Sequence, residues 1–262
     1  MRIAVTLSPT GDWSAILQAA QLADRAGLDA VGFWDHNHSE KPEWAYVCGW
    51  SAYGALAVAT TRIHLLPMVI CRLNYTTGVL AKETSILSIV SGGRFELGIG
   101  AGDYPVEYTA WHQRFPDATT RIETLEETIA ALRLVWQGQF VSYNGTHVQL
   151  TNAACTPVPP MPPRVMVGVG GSRRLIRSAV TYADEINIYR DEALLTYAQT
   201  MIAESGRSVD VSVFLHWDRW PDNLQDELQR WADRGVVRAV VNIGYDADLS
   251  QRVAELAEVQ IR

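Results

Sequence analysis

The chain has 262 residues, 48% of them hydrophobic, and a formal net charge of -7. That size and apolar content suit one domain over 1–262 with a full core, and the acidic balance argues against nucleic acid or an anionic membrane as a partner. No apolar run approaches the roughly 20 residues that span a bilayer, and three cysteines (Cys48, Cys71, Cys155) without CxxC spacing argue against a disulfide framework or a structural zinc. The first residues read as a strand rather than a leader, so the expectation is a cytoplasmic protein acting on a small molecule.

Hydrophobic periodicity predicts strands and helices in near-strict alternation. The first strand covers 2–7, and the first helix covers 13–26 and stops at Gly27. A strand at 30–34 and a helix at 45–59 follow, then a strand at 63–70 and a helix at 78–90. The run 91–102 (Ser-Gly-Gly-Arg-Phe-Glu-Leu-Gly-Ile-Gly-Ala-Gly) reads as a turn, a fourth strand and a glycine-lined strand end. The fourth helix is expected at 120–136. Residues 139–150 read as a hairpin around Asn144-Gly145, followed by a proline-rich connector at 157–163. Further strands are expected at 164–169, 185–189, 210–217 and 238–243, each followed by a helix: from 172, over 193–204, over 223–232, and closing the chain. Eight such units are the count of an α/β (β/α)8 TIM barrel, with the hairpin as a short insertion between the fourth helix and the fifth strand. A doubly wound sheet is the competitor, but Ser8-Pro9-Thr10-Gly11 after the first strand is no GxGxxG turn.

A barrel places its active site at the carboxyl ends of its strands. The fifth strand ends in Gly168, Gly170, Gly171 and Ser172, whose backbone N–H groups and following helix suit a phosphate, with Arg173, Arg174 and Arg190 as nearby charge. The same residues also make an ordinary strand-to-helix turn. His36 and His38 form an HxH after the second strand. A metal would need further ligands on later strands, where only His216 is well placed and Asn242 stands where an Asp is wanted, so no metal site is expected. His36 reads instead as a hydrogen-bond donor or proton carrier, or as a loop histidine satisfied by Asp35. Asp103 suits a base, a ligand-orienting group or a turn cap, and Glu107 reads as structural. There is no nucleophile elbow, Ser-His-Asp order or Walker loop. Nine tryptophans and ten tyrosines suit a pocket for a planar ligand, so the chemistry is expected to come from a cofactor.

The ordered motifs Asp35-His36, Leu80-Ala81-Lys82, 91–102, Glu107-Tyr108, 121–127, 134–138, Tyr143-Asn144-Gly145, 167–172 and 182–187 resemble the luciferase-like monooxygenase superfamily, above all its branch that uses the deazaflavin coenzyme F420. The resemblance implies a cofactor held at the strand ends, with F420 first and FMN as the alternative. It implies a non-proline cis peptide in a bulge within 67–70, placing Met68 and Val69 at the ring. Asp35, Gly100 and Gly102 join the cofactor side, and the phosphate glycines map onto Gly168, Gly170 and Gly171, with Ser172 and Arg190 beside them. His36 and Asp103 map onto the substrate side as catalytic residues. Two positions depart from the pattern: Asp103 stands where many F420 relatives carry Trp, and Glu185 where they carry Gly. The implied reaction is hydride transfer to or from a small organic substrate. An FMN-dependent monooxygenase, a non-catalytic flavin-binding protein and a metal-dependent hydrolase are the alternatives, in that order. A homodimer is open, with Trp50, Tyr53, Leu80 and Ile86 of the second and third helices as residues that either meet a partner or face the barrel.

Overall fold

The computed structural model describes residues 1–41, 43–216, 223–245 and 248–259. In chain order the elements are β1 (Arg2–Thr6), α1 (Trp13–Ala26), β2 (Ala30–Gly32), α2 (Trp50–Ala59), β3 (His64–Leu65), β4 (Ile70–Cys71), a 3-10 turn (Arg72–Asn74), α3 (Thr77–Val90), β5 (Leu97–Gly100), α4 (Pro105–Ala110) and α5 (Ala118–Val135). Then come β6 (Val141–Asn144), β7 (Gln149–Ala153), β8 (Val165–Gly170), α6 (Arg173–Ala179), β9 (Glu185–Tyr189), α7 (Glu192–Ser205), β10 (Asp210–His216), α8 (Leu224–Asp233), β11 (Arg238–Asn242) and α9 (Leu249–Ala257). Trp217, the last residue of the expected seventh strand, lies outside the described residues, as do Asp218 and Arg219 after it.

Nine strands form one curled parallel sheet in the order β3-β2-β1-β11-β10-β9-β8-β5-β4. Its two outermost strands are pieces of a single chain segment. β3 pairs with β2, β4 pairs with β5, and Leu65 also bridges to Phe95 just before β5. The expected strand over 63–70 is therefore split, with 66–69 leaving the ladder. Between α5 and β8, β6 and β7 pair as a separate antiparallel ladder.

Alternation along each strand divides the core in two. Ile3, Val5 and Leu7 of the first strand segment pack outward under the helices. Ala4, Ala30, Leu66, Met68, Met166, Phe214 and Val240 fill the interior of the sheet's curl. Tyr53 and Leu80 are buried in the outer core, so the barrel-facing alternative holds for these two. The Tyr53 hydroxyl also accepts the Phe33 N–H (2.9 Å), which fixes the end of β2.

The amino ends of the strands carry a layer of charge. Arg238, fully buried, donates to Asp29 (2.6 Å), to Glu96 (2.8 Å) and to Glu185 (3.1 Å). Arg164 reaches Glu185 (3.5 Å) and Asp210 (2.5 Å), and His64 meets Glu96 (2.9 Å). Glu185, unusual by the family pattern, is thus a counter-charge for a buried guanidinium. This end of the interior is plugged by paired ions, leaving the carboxyl end as the open one.

Candidate active site

A cavity of about 450 Å³ opens at the carboxyl ends of the strands. One wall is made by the segment that interrupts β3 and β4. Leu66 N–H donates to Val31 O (2.9 Å) and Met68 N–H to Phe33 O (2.9 Å), and the Met68–Val69 peptide is cis. Four glycines admit this segment. A Cβ on Gly32 would lie 1.9 Å from Leu66 O, and one on Gly98 would lie 1.8 Å from Pro67 O. Cβ atoms on Gly100 and Gly168 would each come within 2.8 Å of a Val69 methyl. Met68 and Val69 therefore project into the cavity between glycine-bearing strands. Gly102, at φ +87°, sits against Cys71 Sγ.

Asp35 follows β2 and is buried. Its carboxylate accepts from Cys71 N–H (2.9 Å), Tyr75 Oη (2.8 Å) and Asn74 Nδ2 (3.4 Å). Burial pushes its carboxyl above the usual range, the charge of Glu107 adds to this, and the three donors oppose it. Asp35 lines the cavity, yet its hydrogen bonds are spent on holding the 71–75 turn in place. Tyr108 extends that network: its hydroxyl donates to Asn74 Oδ1 (2.6 Å) and lies 3.0 Å from Cys71 Sγ. Burial pushes the Cys71 thiol up to about 11, so Cys71 is a neutral wall residue rather than a nucleophile.

His36 lines the cavity with its Nδ1 3.1 Å from Glu107 Oε2. The second oxygen of Glu107 accepts the Asn37 N–H (3.1 Å), and Cys48 Sγ reaches His36 O (3.4 Å). The imidazole stands among the rings of Trp34, Tyr46 and Tyr104, at centroid distances of 6.0, 5.2 and 5.2 Å. Trp34 in turn meets His216 (6.4 Å) and Tyr245 (6.0 Å), so an aromatic belt rims this side of the mouth. Asp103 lines the cavity at an exposed position after the β5 glycines.

Gly168, Gly170, Gly171 and Ser172 line the cavity where β8 passes into α6. Gly170 has φ +52°, which glycine adopts freely, and lies under the Tyr189 ring. Ser172 caps α6, its hydroxyl accepting from Leu175 N–H (3.2 Å). Arg173 stacks over Tyr197. Arg190 departs from its expected place: it lies outside the cavity lining and donates through Nε to Glu227 (2.6 Å) on α8. The cavity's arginine is Arg121, which donates to Gly102 O (3.1 Å) and Pro116 O (2.6 Å) and so braces the end of β5. Among the described residues, no group of three or more His, Cys, Asp or Glu is placed to hold a metal ion. No helix of the described residues is long and apolar enough to cross a membrane.

Residues 1–261 match the model of the luciferase-like monooxygenase family. The chain belongs to the luciferase-like monooxygenase family. A curated relative, an F420-dependent glucose-6-phosphate dehydrogenase from Microbacterium testaceum (strain StLB037), is 25% identical over 236 residues, covering 83% of this chain and 68% of the relative. One of the same description from Amycolatopsis mediterranei (strain U-32) is 28% identical over 163 residues, and the match spans about half (47%) of its length and 60% of this chain. Among solved structures, an F420-dependent secondary alcohol dehydrogenase in complex with an F420-acetone adduct superposes with a TM-score of 0.83, covering 99% of this chain and 98% of that one at 16% identity. At that identity the likeness is one of fold.

The site of this family member includes residues that sequence reasoning passes over. Glu107, which reads as structural, is the partner of His36, and its one signal is a lone carboxylate inside the apolar run Pro105-Val106-Glu107-Tyr108. Arg121 and Tyr108 stand in matching motifs without an evident role. Their contributions depend on Gly102 and Asn74, residues distant in the chain.

Proposed function

We propose that this family member is an F420-dependent oxidoreductase, a (β/α)8 barrel enzyme that moves hydride to or from a small organic substrate. The observation that carries the reading is the wall at Met68 and Val69, set between Gly100 and Gly168 at the cavity. It presents an apolar face to the cavity, which suits a flat ring. The cavity volume also falls in the range of small-molecule sites. The curated relatives described above, which use F420, support this cofactor, and the family's monooxygenase description favours FMN as the second reading.

Met68, Val69, Gly100 and Gly102 would hold the ring, and Gly168, Gly170, Gly171 and Ser172 would receive the phosphate on backbone N–H groups. The bound deazaflavin supplies the hydride chemistry. The remaining work falls to the chain. Asp35 keeps the 71–75 turn beneath the site, Trp34, Tyr104 and His216 exclude water at the mouth, and His36 holds or accepts a substrate proton at Nε2. Asp103 orients the substrate from the rim. Titrating purified protein separately with F420 and with FMN, followed by quenching of tryptophan emission, tests the reading. Saturable binding of F420 is expected, and binding of FMN with none of F420 would transfer the site to the monooxygenase reading.

A further inference from the structure

Glu107 is buried, and both its carboxylate oxygens are committed, one to His36 Nδ1 (3.1 Å) and one to the Asn37 backbone N–H (3.1 Å). A backbone N–H can only donate, so it claims one oxygen permanently. The other oxygen, as part of an ionised carboxylate, can only accept. The neutral imidazole therefore meets it with its proton on Nδ1, which leaves Nε2 bare. Among the described residues Nε2 has no hydrogen-bond partner, while the His36 side chain lines the cavity. The peptide that carries His36 is held independently by Cys48 Sγ on its carbonyl and by Asp35 on the neighbouring turn. The ring thus has its position fixed by the backbone and its tautomer set by one side chain.

We infer that Glu107 is the positioning residue of this site, setting His36 as the Nδ1–H tautomer with Nε2 as its proton acceptor toward the cavity. Glu107 touches no ligand and acts only through His36. A specific and counterintuitive consequence follows for Glu107→Gln. The Asn37 N–H still requires an acceptor and takes the amide oxygen. The amide NH2 is then left facing Nδ1, and it can only donate. The ring proton is therefore driven to Nε2, and the acceptor at the cavity becomes a donor.

Nitrogen-15 NMR of the histidine rings in the cofactor-free protein at mildly alkaline pH tests this. The wild type is expected to show His36 protonated at Nδ1, and Glu107→Gln to show it protonated at Nε2, with the His64 and His147 ring signals unmoved as a sign of intact folding. A wild-type His36 protonated at Nε2, or the same tautomer in both proteins, would overturn the inference. Because the wild-type spectrum alone decides the first point, a poorly folding variant does not shelter the claim. The kinetic consequence rests on the F420 reading: Glu107→Gln should lower kcat on the order of 10²-fold while leaving F420 affinity unchanged. Failure of F420 to bind at all would count against that reading and leave the tautomer result standing.

Discussion

Gly54 and Gly98 show how differently one residue type is used in this chain. Gly54 lies inside α2, and a Cβ there would meet nothing within 4 Å, whereas one on Gly98 would strike the Pro67 carbonyl at 1.8 Å. Gly54→Ala should therefore stabilise the protein by about 0.5–1 kcal/mol through its backbone entropy. Gly98→Ala should destabilise it by about 1–3 kcal/mol or more, because the 66–69 segment must move. Urea unfolding of both variants measures the difference. The glycine run ending in Gly102 is legible as a place of close approach, but what approaches at Gly98 and Gly100 is the chain's own bulge. Pro67 and the resemblance together mark a bulge within 67–70, but nothing in the local sequence says that it packs against glycines about 30 residues further along the chain. Gly171 is different: it lines the cavity and its nearest neighbour beyond a Cβ is Tyr189 at 3.9 Å. Gly171→Val should weaken F420 binding at an unchanged Tm, and unchanged affinity would remove Gly171 from the phosphate site.

At the scale of elements, legibility follows local chemistry. The bounds of α1 are readable because Asp12 caps its start, accepting from Ala15 N–H (3.1 Å), and Gly27 ends it at φ +80°. The second helix, expected from 45, begins at Trp50, since Gly49 at φ +83° cannot continue a helix backwards. The six-residue α4, which carries Glu107, is too short to leave a periodicity in the sequence. Some connections depend on partners far away in the chain. Asp24 at the end of α1 accepts from the backbone N–H groups of Thr61 (3.0 Å), Arg62 (2.7 Å) and Ile63 (2.7 Å), shaping the entry to β3. Burial alone would push its carboxyl up, but those donors and the Thr61 hydroxyl hold it below the usual range. The lowered folded value means the stabilisation is present above the unfolded pKa of about 3.9 and is lost as pH falls through the folded value. Asp24→Ala should cost about 1–3 kcal/mol at neutral pH, and its deficit against wild type should shrink once the pH drops below about 4. Urea midpoints across pH measure both.

For the whole molecule, the alternation of eight strand–helix units is visible in the periodicity, but the ion layer that closes the amino end is not, because its members lie one per strand and up to 209 residues apart, as Asp29 and Arg238 do. The two glutamates of this layer differ. Burial would push the Glu96 carboxyl up, but His64 and Arg238 pull it down to about 2, whereas burial leaves Glu185 raised despite Arg238 and Arg164. Glu96→Gln should therefore cost about 3 kcal/mol at pH 7, a contribution that in the wild type is present above the unfolded value and disappears toward pH 2. Glu185→Gln should destabilise less than Glu96→Gln, because burial offsets more of what its charge gains from Arg238 and Arg164. Arg238→Met should be more damaging than either, about 3–5 kcal/mol, because it strands buried carboxylates without a counter-charge. Paired ions at one end and an open, glycine-walled mouth at the other leave the carboxyl end as the place for chemistry. A crystal structure of the protein grown with F420 tests that claim most directly. The deazaflavin ring is expected against Met68 and Val69, with its phosphate at Gly168 to Ser172. A cofactor seated away from this cavity, or a cavity left empty at saturating F420, would contradict it.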